Sequence, residues 1–125
     1  AQMSEPEGRK FKRIIIETTG LADPAPIIHT LMTDHWIAEA YQLDGVVTTV
    51  DLATGSHTLD EHKESVKQAA LADLLLLTKG DMIDKSAKEA LINRLNQINP
   101  SASKLEVTGG KADVKPARFN CGPAR

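Results

Sequence analysis

Apolar residues along the chain come in short runs that end in a polar or acidic residue, and stretches of helical spacing separate them. Ile14-Ile15-Ile16 leads into Glu17, Val46-Val47-Thr48-Thr49-Val50 into Asp51, and Leu74-Leu75-Leu76-Leu77 into Thr78. Such runs predict strands covered on both faces, as in a parallel sheet. The expected strands are residues 12–17, 45–51 and 72–78, with a short last one at 104–108. Leucine is a mediocre strand former, so for the third a helical continuation from Val66 is the competing reading.

Between these runs the period changes. Asp23-Pro24 pairs an N-cap acid with proline at the first helical position. Ile27, Ile28, Leu31 and Met32 then follow at helical spacing, and a break at Thr33-Asp34 starts a second short helix with Trp36, Ile37, Ala40 and Tyr41. Leu59, His62, Val66, Ala69 and Ala70 form one amphipathic stripe. Ser86 with Glu89 reads as a capping box, opening a helix with Ala87, Leu91, Leu95 and Ile98 on one face. Asn99-Pro100 stops it, and Gly109-Gly110 turns the chain after the last strand. Strands alternating with helices give an α/β fold, a mainly parallel sheet with flanking helices. Residues 12–110 form the domain, 1–11 a mobile polar lead-in and 111–125 a tail.

Composition narrows the class. Aromatic residues are 3% of the 125, so the core rests on aliphatic side chains. A net charge of −2 gives no electrostatic case for nucleic acid or an anionic membrane. The basic group Arg9, Lys10, Lys12 and Arg13 reads as a solvated flank. The longest apolar run is far too short to span a bilayer, and a single cysteine, Cys121, fits a reducing compartment. The expectation is a cytoplasmic domain without membrane contact.

Two motifs at strand ends carry chemistry. In Glu17-Thr18-Thr19-Gly20, an acid at a strand tip can hold magnesium through water, while a glycine N–H three residues on can meet a terminal phosphate. The plain alternative makes Glu17 a helix-flanking acid and Gly20 a turn residue. In Thr78-Lys79-Gly80-Asp81, the aspartate can accept from guanine N1–H and the 2-amino group, whereas adenine leaves it unpaired. Such a site can discriminate by roughly 10⁴-fold. The lysine stem can lie over the base with its charge in water. Asp51, at its own strand end, either positions a switch region or caps a turn. His29, His35, His57 and His62 read as surface histidines rather than metal ligands, and Cys121 as an incidental thiol.

Taken together, Glu17-Thr-Thr-Gly-Leu-Ala-Asp-Pro24, then Pro26-Ile27-Ile28, Asp44 to Asp51, Gln68 with Ala72-Asp73, Leu76 to Asp81, Asn99-Pro100 and Thr108-Gly109 resemble the CobW/YjiA-type GTPases, relatives of the HypB and UreG metallochaperones. The resemblance implies a partial P-loop GTPase (G) domain that binds GTP with magnesium and serves zinc or cobalt delivery, or cobalamin-related insertion, to a metalloprotein client. It implies Glu17 as the Walker B acid near magnesium and Gly20 as the γ-phosphate glycine. Thr78, Lys79 and Asp81 become the guanine loop, and Thr108 with Gly109 a further loop against the base. Thr78 stands where most GTPases have asparagine, a replacement familiar in this family.

Two family motifs are absent from the sequence. There is no upstream G-x-x-G-x-G-K-[S/T] loop, and Gly109-Gly110-Lys111 does not supply one, because Leu105 and Ala112 stand where glycine and Ser/Thr are needed. The C-x-C-C metal motif is absent too. The expected parent is a GTPase, and this chain alone is expected to be inactive and to bind nucleotide weakly. A non-catalytic interaction module derived from a G domain is the alternative. The strand next to residues 14–16 would be missing, leaving an apolar edge on which two copies can associate.

Overall fold

The computed structural model describes residues 12–112. The proposed lead-in at 1–11, most of the tail and Cys121 lie outside them. Helices α1 (Pro24–Thr33) and α2 (His35–Ala40) come first, then strand β1 (Val47–Asp51). Helices α3 (Gly55–Glu61) and α4 (Lys63–Ala70) precede β2 (Leu74–Thr78). A 3₁₀ turn over Gly80–Met82, helix α5 (Lys85–Ile98) and β3 (Ser103–Val107) complete the order.

The three strands form one parallel sheet in the order β1-β2-β3. The α/β architecture expected from the alternating pattern is what forms. The leucine run is a strand and not a helical continuation. Its place in the middle accounts for that: Leu75 and Leu77 are buried within the main core, and Leu74 is buried outside it. A central strand buries leucine well enough to override its modest strand propensity. The core gathers Val50, Leu52, Leu59, Ala69, Leu75, Leu77, Leu91 and Leu95 between the sheet and α3, α4 and α5.

Buried Asn99 ties this layer together. Its Nδ2 donates to the carbonyls of Ala69 at 2.9 Å and Ala72 at 2.8 Å, and its Oδ1 accepts from Ser101 N and Ala102 N at 3.1 Å each. The residue that stops α5 thus also fastens the end of α4 to the start of β3.

Three expectations are corrected. Residues 12–17 do not join the sheet: among the described residues the segment has no strand pairing, and Ile15 is 92% exposed. Propensity favours an extended backbone there, but a strand exists only with a hydrogen-bonded neighbour, and none of the described residues supplies one. The Ser86–Glu89 capping box does not form either. Asp84 caps α5, accepting from Ala87 N at 2.8 Å and from Ser86 Oγ at 3.1 Å. An aspartate already at the N-cap makes Ser86 a first-turn residue and leaves Glu89 beside Lys85. The single stripe through His62 is two helices, because the backbone of His62 is extended.

Candidate functional site

Register puts Asp51, Thr78 and Val107 in one row across the C-terminal edge of the sheet. The loops that follow these residues therefore emerge side by side, where open parallel sheets bind ligands.

The loop after β2 is the more finely built. Thr78 O accepts from Leu52 N at 2.8 Å, binding this loop to the one after β1. Lys79 takes a left-handed backbone, φ 59° and ψ 29°, unlike any other non-glycine among the described residues. That conformation costs a side-chain-bearing residue about 1–2 kcal/mol. Its Nζ lies 3.0 Å from Asp51 Oδ2. The ammonium is therefore held by a carboxylate and does not simply project into water. Gly80 packs closely: a Cβ there would stand 3.2 Å from Leu52 Cδ1.

Asp51 takes the turn-capping role, one of the two weighed for it, and also anchors Lys79. Its Oδ1 accepts from Ala53 N at 2.8 Å and Thr54 N at 3.3 Å, while Oδ2 meets Lys79. Partial burial pushes its carboxyl upward, but the Lys79 hydrogen bond and the two backbone N–H groups outweigh that and hold it below the usual carboxylate range.

A cavity of about 200 Å³ opens beside the loop, lined by Leu77, Gly80, Asp81, Lys88, Glu106, Val107 and Thr108. Asp81 and Thr108, predicted from separate motifs, thus face one space. An ion pair between Lys88 and Glu106 forms part of its wall. Thr108 pairs with Lys111 in both directions at 3.0 Å around Gly109 (φ 58°) and Gly110 (φ 75°). Two successive positive φ values are what a type I′ turn demands, so both positions favour glycine.

Glu17 and Gly20 lie apart from that cavity. Both are exposed, Glu17 in the segment without regular structure and Gly20 in the turn before α1. Asp23 caps α1, accepting from Ala25 N at 3.0 Å, and Lys67 Nζ sits 3.0 Å from its other oxygen. The Ala25 N–H first and Lys67 second hold the Asp23 carboxyl below its ordinary range. The four histidines are exposed, and His35 pairs with Glu39 at 3.0 Å. Among the described residues no group of three or more His, Cys, Asp or Glu is placed to hold a metal ion.

The family model for the CobW/HypB/UreG nucleotide-binding domain matches residues 1–106. This chain belongs to the CobW/HypB/UreG family. The CobW-family domain is 37% identical over 105 residues to the zinc chaperone YjiA of Escherichia coli, covering 84% of this chain and 32% of that protein. It is 35% identical over 105 residues to the zinc-regulated GTPase metalloprotein activator 1 of Schizosaccharomyces pombe, covering 83% and 26%. The crystal structure of Zn(II)-bound YjiA GTPase from E. coli superposes with a TM-score of 0.79 at 35% identity, over 90% of this chain and 35% of that one. The chain therefore spans about a third or less of the length of these relatives.

Sequence reasoning gave no role to three side chains that hold loops of the CobW-family domain in place. Lys67 and Gln68 hold the loop that contains Gly20, and Lys88 reaches the cavity from α5. Their signals are contacts across long stretches of chain, which no local spacing reveals. No described helix is long and apolar enough to cross a membrane.

Proposed function

We propose that this chain supplies, in residues 12–110, the C-terminal part of the GTP-binding domain of a cytoplasmic CobW-type protein that handles zinc, including its base-reading loops. The observation that carries the reading is the shared cavity of Asp81 and Thr108 at the C-terminal edge of the sheet. Asp81 would accept from guanine N1–H and the 2-amino group, with Lys79 held beside it by Asp51. Thr108 and Gly109 would close the other side of the base. The acceptor fits guanine: a carboxylate stands at a cavity next to a loop whose backbone is already fixed.

Magnesium fits more loosely. Glu17 is an exposed single carboxylate that would hold the ion through water, and the rest of the shell would be phosphate and water oxygens, as this ion prefers. Bound magnesium supplies charge neutralisation between phosphates. In this reading Gly20 offers its N–H to the terminal phosphate. In the whole protein GTP turnover would switch a surface that passes zinc to a metalloprotein client; that part rests on the named zinc chaperones among the relatives. Cobalt and a cobalamin-related role are the other cargo reading, which the family resemblance of the sequence implies.

Calorimetric titration with Mg-GTP and Mg-ATP tests this reading. GTP is expected to bind, even at millimolar strength, with ATP weaker by at least about tenfold, and Asp81→Ala is expected to abolish the difference. Equal binding of both nucleotides, or selectivity that survives Asp81→Ala, would sink it. The exposed Met32 and Trp36 on α1 and α2 favour the second reading, a docking module without nucleotide, which an absence of any binding would support.

A further inference from the structure

Gln68 lies on α4 with its side chain against the turn before α1. Its Nε2 donates to the carbonyl of Ala22 at 2.8 Å, with those of Gly20 at 3.2 Å and Thr19 at 3.4 Å also in reach. The Gln68 carbonyl in turn accepts from Thr48 Oγ1 at 2.8 Å, so β1 fixes the residue from behind through its main chain. Lys67, next to it, holds Asp23 at 3.0 Å. α4 thus grips both ends of the 19–23 segment.

The grip on Thr19 O has a consequence for its neighbour. The Thr19 carbonyl and the Gly20 N–H belong to one peptide plane, and in a trans peptide they point in opposite directions. No cis peptide occurs among the described residues. Thr19 O accepts from Ala22 N at 3.1 Å within the turn, and Gln68 Nε2 meets it from α4 at 3.4 Å. The Gly20 N–H is therefore turned away from α4. It makes no hydrogen bond among the described residues, and no atom lies within 4 Å of the place a Cβ would take.

We propose that Gln68 is the positioning residue that aims the Gly20 N–H outward, toward a ligand. That the ligand is a terminal phosphate rests on the GTP reading above; the aim itself does not. A side-chain amide is suited to the task because it donates without charge. Glutamate at the same place would turn a carboxylate toward three carbonyl oxygens.

The test uses the full chain, wild type and Gln68→Ala, Gln68→Glu and Gln68→Lys, followed by ¹H–¹⁵N spectra and amide exchange. In the Ala and Glu variants the Gly20 resonance is expected to move, and the Ala22 amide to exchange about tenfold faster or more. The Leu75 and Leu91 amides stay unchanged, which excludes general loosening. Gln68→Lys restores a donor and is expected to bring Gly20 and Ala22 back toward wild type. Exchange at Ala22 within twofold of wild type in Gln68→Ala, or no recovery in Gln68→Lys, overturns the proposal. Loss of GTP selectivity with this loop intact would instead remove the nucleotide reading and leave the Gln68 contact standing.

Discussion

Residues 12–41 and residues 47–107 carry apolar runs of the same kind, yet fold differently. Leu75 and Leu95 in the second region are fully buried, whereas Ile15 is 92% and Trp36 83% exposed, and neither α1 nor α2 buries a residue. Local preference is satisfied in both: α1 starts at Asp23-Pro24 as such a pair dictates, and residues 14–16 are non-helical. What separates them is partners. β2 has a strand on each side and helices over it, while the isoleucine segment pairs with no strand among the described residues. Secondary-structure propensity chooses a conformation; burial alone gives it stability.

That contrast is broken most directly in the core. Leu95→Ala is expected to cost about 2–5 kcal/mol, while Ile15→Ala changes stability by about 0.5 kcal/mol or less, both read from urea unfolding. Comparable losses at the two sites would mean that the first segment is packed in solution. Next in size is Asn99→Ala, which strands buried carbonyls at the end of α4 and two N–H groups before β3. A loss of about 2–3 kcal/mol is expected, and a neutral result would show that water replaces those bonds.

The smallest effect is electrostatic. Asp51 has a carboxyl held below its ordinary range by Lys79 and two N–H groups, against the upward push of partial burial. Its stabilisation is therefore complete above the unfolded value near pH 4 and is lost as pH falls through the lower folded value. Asp51→Asn keeps an acceptor for the turn and removes the charge. It is expected to lower stability by about 0.5–1 kcal/mol at pH 7, with the gap to wild type closing below about pH 4. A gap that does not shrink at all as pH falls from about 5 toward the acid-unfolding limit would show that the charge is not its source.

The sheet was legible in the sequence wherever a run found its partner inside the chain. Leu74 to Leu77 and the Val46–Val50 stretch announced β2 and β1, and Asn99 announced the end of α5. Residues 14–16 were misleading because a run reports preference and not neighbours. The start of α5 was misjudged because two good capping residues, Asp84 and Ser86, stand two positions apart, and the earlier one wins. At the candidate site, Thr78 to Asp81 could be read because its residues are contiguous. Gln68 and the Gly20 carbonyl are 48 positions apart, and only the packing of α4 brings them together. Asp51 was ambiguous for the same reason: its turn-capping partners are local, but Lys79 comes from the loop after the next strand.

The comparison also assigns the two halves of the candidate site to the two regions. The loops proposed to read the base sit on the packed sheet, whereas Glu17 and Gly20 belong to the exposed segment, where α4 contacts the turn that contains Gly20. The central claim is that the packed edge is already arranged for guanine. The most direct test follows every backbone amide of the chain by ¹H–¹⁵N NMR during titration with Mg-GTP and then with Mg-ATP. Shifts at Gly80, Asp81, Thr108 and Gly109 with GTP, and little response there to ATP, are expected. Equal responses to the two nucleotides, or shifts that avoid these four residues, would contradict it.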